Sequence, residues 1–275
     1  MRIHLSLLLL IIMLSQVSCN TDSSTKTLPQ YLANGKWIDL SYSFSDSTLY
    51  WPNNTITFHL DTFFHGMTDS GFFYSAYTFC APEHGGTHLD APIHFAEHGW
   101  TSDEIPVDNM NGNAVVIDVS EKALKDRDYL VSVEDFEAWE KVNGEIPEGS
   151  IVLLRTGYGK FYPDAEKYFG TALRGVAAIP LLHFPGLDPA AAAWLVKNRK
   201  IKAIGLDTPS IDYGQSKKFQ SHLILLGENI LVFENVAHLD LLPATGAFVV
   251  ALPMKIKGGS GGPLRIVAWL PNEKN

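Results

Sequence analysis

The sequence predicts an α/β domain built on a mixed sheet, and three observations carry that prediction. Two apolar runs, Ala114–Val119 and Ile151–Leu154, have the near-continuous hydrophobicity of strands covered on both faces. A helix beginning at Asp188-Pro189 and reaching about Asn198 is followed by the apolar stretch Lys202–Asp207, which makes a β-α-β unit. Elsewhere strand-like segments outnumber helical ones, and no repeat, low-complexity tract or linker divides the chain. One domain is therefore expected over residues 35–271.

In chain order, residues 1–18 read as an export signal: Arg2 supplies positive charge, Leu5–Leu14 is apolar, and small residues close the segment. The apolar run is too short to span a bilayer, so no transmembrane helix is expected. Cys19 follows Ser18 as in bacterial lipoprotein cleavage sites, whereas Gln16 departs from the usual leucine. A lipid anchor at Cys19 and a free periplasmic or secreted form both remain open. Residues 19–34, rich in Ser and Thr, read as a flexible tether.

Trp37–Leu40 reads as a first strand and Tyr50-Trp51-Pro52 as the start of a loop. Phe72–Phe79 is aromatic and β-prone, and most of its rings are expected in the core. Ser132-Val133-Glu134-Asp135 resembles a capping box, after which Val133, Phe136, Trp139 and Val142 share a helix face that ends before Gly144. Asp188 caps the next helix, with Pro189 at its first position.

The 275 residues are 46% hydrophobic and 19% charged, a globular balance, and the net charge of -9 excludes a basic surface for nucleic acid. The two cysteines, Cys19 and Cys80, form no disulfide framework, and Cys80 is expected as a small buried residue.

Chemistry concentrates in His84-Gly-Gly-Thr-His88-Leu-Asp90-Ala-Pro-Ile-His94-Phe. Gly85 and Gly86 disfavour a helix, each by about 1 kcal/mol against alanine. The stretch therefore reads as a loop entering a strand, in which His88 and Asp90 share a face. The glycine pair lets His84 fold back to join them, and Pro92 ends the strand close to His94. Two imidazoles and a carboxylate suit zinc, manganese or iron(II), and three protein ligands with an open position are the catalytic pattern. Farther on, His222 and Glu234 interrupt apolar runs, where a carboxylate is costly unless paired or bound to a metal. Arg155, closing the Ile151–Leu154 run, is a candidate to hold a substrate carbonyl or carboxylate; a structural ion pair is the alternative.

These residues resemble the signature of the cyclase family, which includes bacterial kynurenine formamidase and isatin hydrolase. Asp207-Thr-Pro-Ser, His222 and Glu234-Asn235 match its second block, Trp51-Pro52 its N-terminal block, and Leu252–Arg265 the isatin-hydrolase-like branch. The resemblance covers about 36 to 270. It implies a swivelling β/β/α fold, assembled as a homodimer or homotetramer. It implies that His84, His88 and Asp90 bind a first ion, that Asp90 and Glu234 bridge to a second held by His222, and that Mn²⁺ or Zn²⁺ is bound as one or two ions. His94 matches the general acid/base, and Trp51 a substrate-contacting aromatic. Trp51 and Phe72 are expected to line a site for a flat aryl ring. The expected activity is hydrolysis of an isatin-like lactam or an aryl formamide by water that the ion acidifies. The alternatives are a lactone hydrolase or related reaction at the same metal, and an exported binding protein without catalysis.

Overall fold

The computed structural model describes residues 27–272. The expected export signal, Cys19 and the first half of the expected tether lie outside the described residues. At the tether's end, Leu28–Ala33 form a short helix, α1, rather than continuing as coil.

The strands are β1 (Gly35–Asp39), β2 (His59–Met67), β3 (Phe73–Cys80), β4 (His88–Asp90), β5 (Asn111–Asp118), β6 (Leu130–Val131), β7 (Ile151–Arg155), β8 (Gly186–Leu187), β9 (Ala203–Leu206), β10 (Leu231–Glu234), β11 (Ala247–Pro253) and β12 (Gly261–Pro271). The remaining helices are α2 (Ser120–Ala123), α3 (Val133–Asn143), α4 (Ala165–Phe169), α5 (Pro189–Arg199) and α6 (Gln220–Gly227). Eight strands form one mixed sheet in the order β1-β12-β11-β5-β7-β9-β10-β4, and β4 also pairs with β12, which closes the sheet into a barrel-like arrangement. Strands β5, β7, β9 and β10 are parallel neighbours, and the others join antiparallel. The mixed α/β architecture is the expected one.

Alternation along the parallel strands divides the core in two. Val116, Leu153 and Phe233 pack on one face with Leu89, Val249 and Ile266. Val115, Val152, Leu154 and Ile204 pack on the other against α3, α5 and α6, through Phe136, Leu195 and Leu225. Both faces being buried, these strands are apolar throughout. The expected capping of α3 is present, with Asp135 Oδ2 accepting from the Ser132 backbone N–H at 2.9 Å. Phe136 and Trp139 are buried on that helix as expected, but Val142, in its last turn, is 83% exposed.

The largest departure is the β2–β3 ribbon. These strands pair only with each other. The aromatic run is a strand, yet its rings are not core: Phe73, Tyr74, Tyr77 and Phe79 are all exposed, and so is Cys80. Among the described residues nothing buries either face of the ribbon, so alternation along it has nothing to pack against.

Candidate active site

The site forms where β4 is gripped between β10 and β12. His88 lies opposite Glu234 across the β4–β10 pair, and Asp90 lies opposite Gly261 across the β4–β12 pair. Leu89 points into the core, which leaves His88 and Asp90 on the other face, as extended geometry requires. The preceding turn holds Gly86 at φ 57°, and a Cβ on Gly85 would overlap the Tyr50 ring at 2.1 Å. Both glycines are needed to bring His84 back over the strand.

Five side chains converge there. His84 Nδ1 is 2.6 Å and His88 Nε2 is 3.2 Å from Asp90 Oδ1. His222 Nε2, delivered by the first turn of α6, is 3.3 Å from Asp90 Oδ2 and 3.3 Å from Glu234 Oε1. His88 Nε2 is 3.4 Å from Glu234 Oε2. Two candidate ligand triads result, His84–His88–Asp90 and Asp90–His222–Glu234, with Asp90 common to both.

The charge balance of this cluster asks for a cation. Burial and repulsion from Asp90 raise the Glu234 pKa. Burial alone would raise Asp90, but the charge on His84 and hydrogen bonds from His222, His84 and His88 hold it well below its usual value. Burial would lower His88, yet Asp90 and Glu234 push it up to about 9. Against burial, Asp212, Asp90 and Glu234 raise His222 as well, so protons on His88 and His222 offset the carboxylates; a divalent cation bound by the same atoms would displace them. Nitrogen and carboxylate donors suit zinc, manganese or iron(II). The residues fit a metal centre.

Neighbouring groups orient the donors. Asp212 Oδ2 lies 2.7 Å from His222 Nδ1, and the Gly86 carbonyl lies 3.0 Å from His88 Nδ1. Each accepts a hydrogen bond from Nδ1–H and leaves Nε2 facing the site. The Gly86 carbonyl also accepts from Asn235 Nδ2 at 2.8 Å, and Tyr168 Oη donates to Asn235 Oδ1 at 2.9 Å. The Ile211 N–H donates to Glu234 Oε1 at 2.8 Å.

His94 ends a short 3₁₀ turn, Pro92–His94, and stacks on His84 with ring centroids 3.8 Å apart. Burial, aided by the nearby charges of His84, His222 and His88 and opposed by Asp90, lowers its pKa to about 4. It is therefore unprotonated at neutral pH. A cavity of about 300 Å³ opens over the cluster, with Trp51, Phe95, Phe169 and Phe219 in its walls and His94 on its lining. The Trp51 ring meets Phe184 edge-on at 6.2 Å. Arg174 pins the loop that carries Trp51 by donating to the Tyr50 carbonyl at 3.3 Å and the Asn54 carbonyl at 2.9 Å.

The structure thus gathers His84, His88, Asp90, His222, Glu234, His94 and Trp51 around one cavity. Two expected residues stand elsewhere. Phe72 is 56% exposed beside the β2–β3 turn and does not line the cavity, because the ribbon carries it away from its own chain's site. Arg155 is held by Asp118 at 2.8 Å and by the Leu239 and Asp240 carbonyls at 3.3 and 3.4 Å, the ion pair of the alternative reading, and it lines a different cavity. Asp212, Phe95 and Phe219 were missed. Asp212 had a signal, since it ends a polar loop after strand β9.

Fold and site together place the chain in a defined class. The cyclase family model matches residues 38–213, and the chain belongs to that family. It is 34% identical over 198 residues to an isatin hydrolase of Roseibium aggregatum, covering 69% of this chain and 72% of that protein. It is 29% identical over 230 residues to a kynurenine formamidase of Salinibacter ruber, covering 84% of this chain and 95% of that one. Among solved structures, isatin hydrolase A from Ralstonia solanacearum superposes with a TM-score of 0.79 at 32% identity, covering 90% of this chain and 99% of that chain. An isatin hydrolase bound to the product analogue thioisatinate superposes with a TM-score of 0.78 at 28% identity, covering 87% and 94% respectively.

Proposed function

We propose that this protein is a metal-dependent hydrolase that opens an isatin-like lactam or cleaves an aryl formamide. The observation that carries this reading is the Asp90 carboxylate, with one oxygen facing His84 and His88 and the other facing His222, directly beneath an aromatic-walled cavity. His84, His88, Asp90, His222 and Glu234 would hold one or two ions of Mn²⁺ or Zn²⁺. A bound ion would supply Lewis acidity, lowering the pKa of water and polarising a carbonyl. The protein's own groups do the rest. Unprotonated His94 accepts a proton from the attacking water and passes it to the nitrogen leaving the cleaved C–N bond. Its stack on His84 fixes the plane in which it does so. Trp51, Phe95 and Phe219 offer ring faces and edges to a flat aryl group. The relatives named isatin hydrolase and kynurenine formamidase support both substrate classes.

The β2–β3 ribbon supports a homodimer or homotetramer. Phe63 is 77%, Met67 64% and Phe73 59% exposed on a two-stranded sheet that would be marginal alone. Among the described residues no helix is long and apolar enough to cross a membrane. The leader-like segment supports export, with Cys19 either lipidated or absent from a periplasmic or secreted product.

The test is to strip the protein with chelator, reload it with Mn²⁺ or Zn²⁺, and incubate it with isatin, N-formylkynurenine and a set of cyclic imides and lactones. Mass detection should show addition of water to isatin, or loss of the formyl group, only after reloading. A protein that holds metal and turns over none of these is a binding protein. Turnover confined to lactones would replace the amide reading.

A further inference from the structure

His84 differs from the other two imidazoles in facing Asp90 through Nδ1, so it needs a partner at Nε2. That partner is Ser260, whose Oγ lies 2.9 Å from His84 Nε2. Ser260 Oγ in turn donates to Glu83 Oε2 at 2.6 Å, and the Ser260 backbone N–H donates to the same oxygen at 3.0 Å. We infer that Ser260 and Glu83 are positioning residues, which fix the proton of His84 on Nε2 and reserve Nδ1 for a metal ion. This rests on the proposed role of His84 as a ligand.

The direction of the chain follows from donor counting. A hydroxyl carries one proton, and an ionised carboxylate only accepts. With its proton given to Glu83, Ser260 Oγ can only accept from His84, so Nε2 carries hydrogen. Of the two ring nitrogens, Nδ1 is then the one whose lone pair can serve an ion. Local packing shows how closely the segment is drawn up. A Cβ on Gly261 would stand 2.7 Å from His84 Cε1 and 2.4 Å from the Leu89 carbonyl oxygen, and one on Gly259 would stand 2.7 Å from Glu83 Oε1. The glycines around Ser260 are thus what let the chain approach the ring and the carboxylate. The Ala91 N–H donates to the Ser260 carbonyl at 2.9 Å, anchoring the segment to the end of β4.

Ser260, His84 and Asp90 also lie in the order of a serine nucleophile, its base and the orienting carboxylate. Two observations set that role aside: Ser260 does not line the cavity, and its proton is committed to Glu83 rather than to the imidazole.

The experiment is calorimetric titration of metal-free wild type, Ser260→Ala, Glu83→Gln, the double variant and His84→Ala with Mn²⁺, with bound metal counted by atomic emission. Loss of such supporting partners typically weakens metal binding by about 10–100-fold. Ser260→Ala is expected to fall in that range, and Glu83→Gln, which keeps an acceptor oxygen, to lose less, about threefold or more. The double variant should bind within about twofold of Ser260→Ala, because the two act as one chain. If His84→Ala loses affinity while Ser260→Ala binds like wild type, the positioning role is wrong and the metal centre stands. If wild type binds neither Mn²⁺ nor, in a repeat titration, Zn²⁺, the metal reading fails and the inference with it. Glu83→Gln leaves Ser260 and its glycines intact, so should Ser260→Ala misfold, wild-type affinity in Glu83→Gln overturns the inference by itself.

Discussion

Asp212 Oδ2 sits 2.7 Å from His222 Nδ1, and this contact sets which nitrogen of His222 faces Asp90 and Glu234. The same carboxylate also accepts from the His222 backbone N–H at 3.2 Å, so ring and helix start are fixed together. Asp212→Asn removes the charge and lets an amide NH₂ face Nδ1, which favours the wrong tautomer. Metal affinity should fall about 10–100-fold while the far-ultraviolet circular dichroism stays that of wild type. Titration with Mn²⁺ checks this, and unchanged affinity would show that Asp212 serves only to start α6.

His94 touches His84 but faces neither Asp90 nor Glu234 within ion-pairing distance, so its removal should separate binding from turnover. His94→Ala is expected to keep its metal content and to lose about 10²–10⁴-fold in kcat. Metal analysis beside steady-state kinetics on the substrate found by the reloading screen decides it. A fully active variant would move the proton-transfer role to another residue.

The ribbon predicts an assembly that depends on its rings. Replacing Phe63 and Phe73 with serine should shift the particle toward the monomer mass in size-exclusion chromatography with light scattering. Both side chains are exposed within the chain, so the thermal transition of the remaining fold should survive. If wild type is already monomeric at micromolar concentration, the ribbon has another partner or none.

Asp135 gives a pH-dependent prediction away from the site. Burial would raise its pKa, but Lys122, the Ser132 N–H and Tyr129 outweigh that and lower it. A depressed folded-state pKa stabilises the fold above the unfolded value, near 3.9, and the contribution is lost as pH falls through the lower folded value. The stability gap between wild type and Asp135→Asn should be full at pH 6, narrow below about pH 4 and then close. Urea unfolding across that range measures it; a gap independent of pH would mean that the carboxylate charge contributes nothing.

Much of this was legible in the sequence for physical reasons. Strands covered on both faces leave apolar runs such as Ile151–Leu154, and the Gly-Gly turn with alternating His88 and Asp90 encodes its own geometry. What failed to show was whatever depended on the absence of a neighbour. Phe72–Phe79 has a strand's composition, and no local pattern says that nothing lies behind it. Arg155 reads alike whether its partner is a substrate or Asp118. Ser260 sits in a glycine-rich stretch, 176 residues from His84, and only the β12–β4 pairing reveals their contact.

The three residues of β4 are also the seam at which the barrel closes, bonded to β10 on one side and β12 on the other. Chemistry and architecture therefore share a single joint. A cation seated there would act as a clasp on the closed cylinder, and withdrawing it would leave two buried anions at the seam to be neutralised by protons alone. Heat resistance and catalytic competence should then rise and fall together as the ion is supplied or stripped.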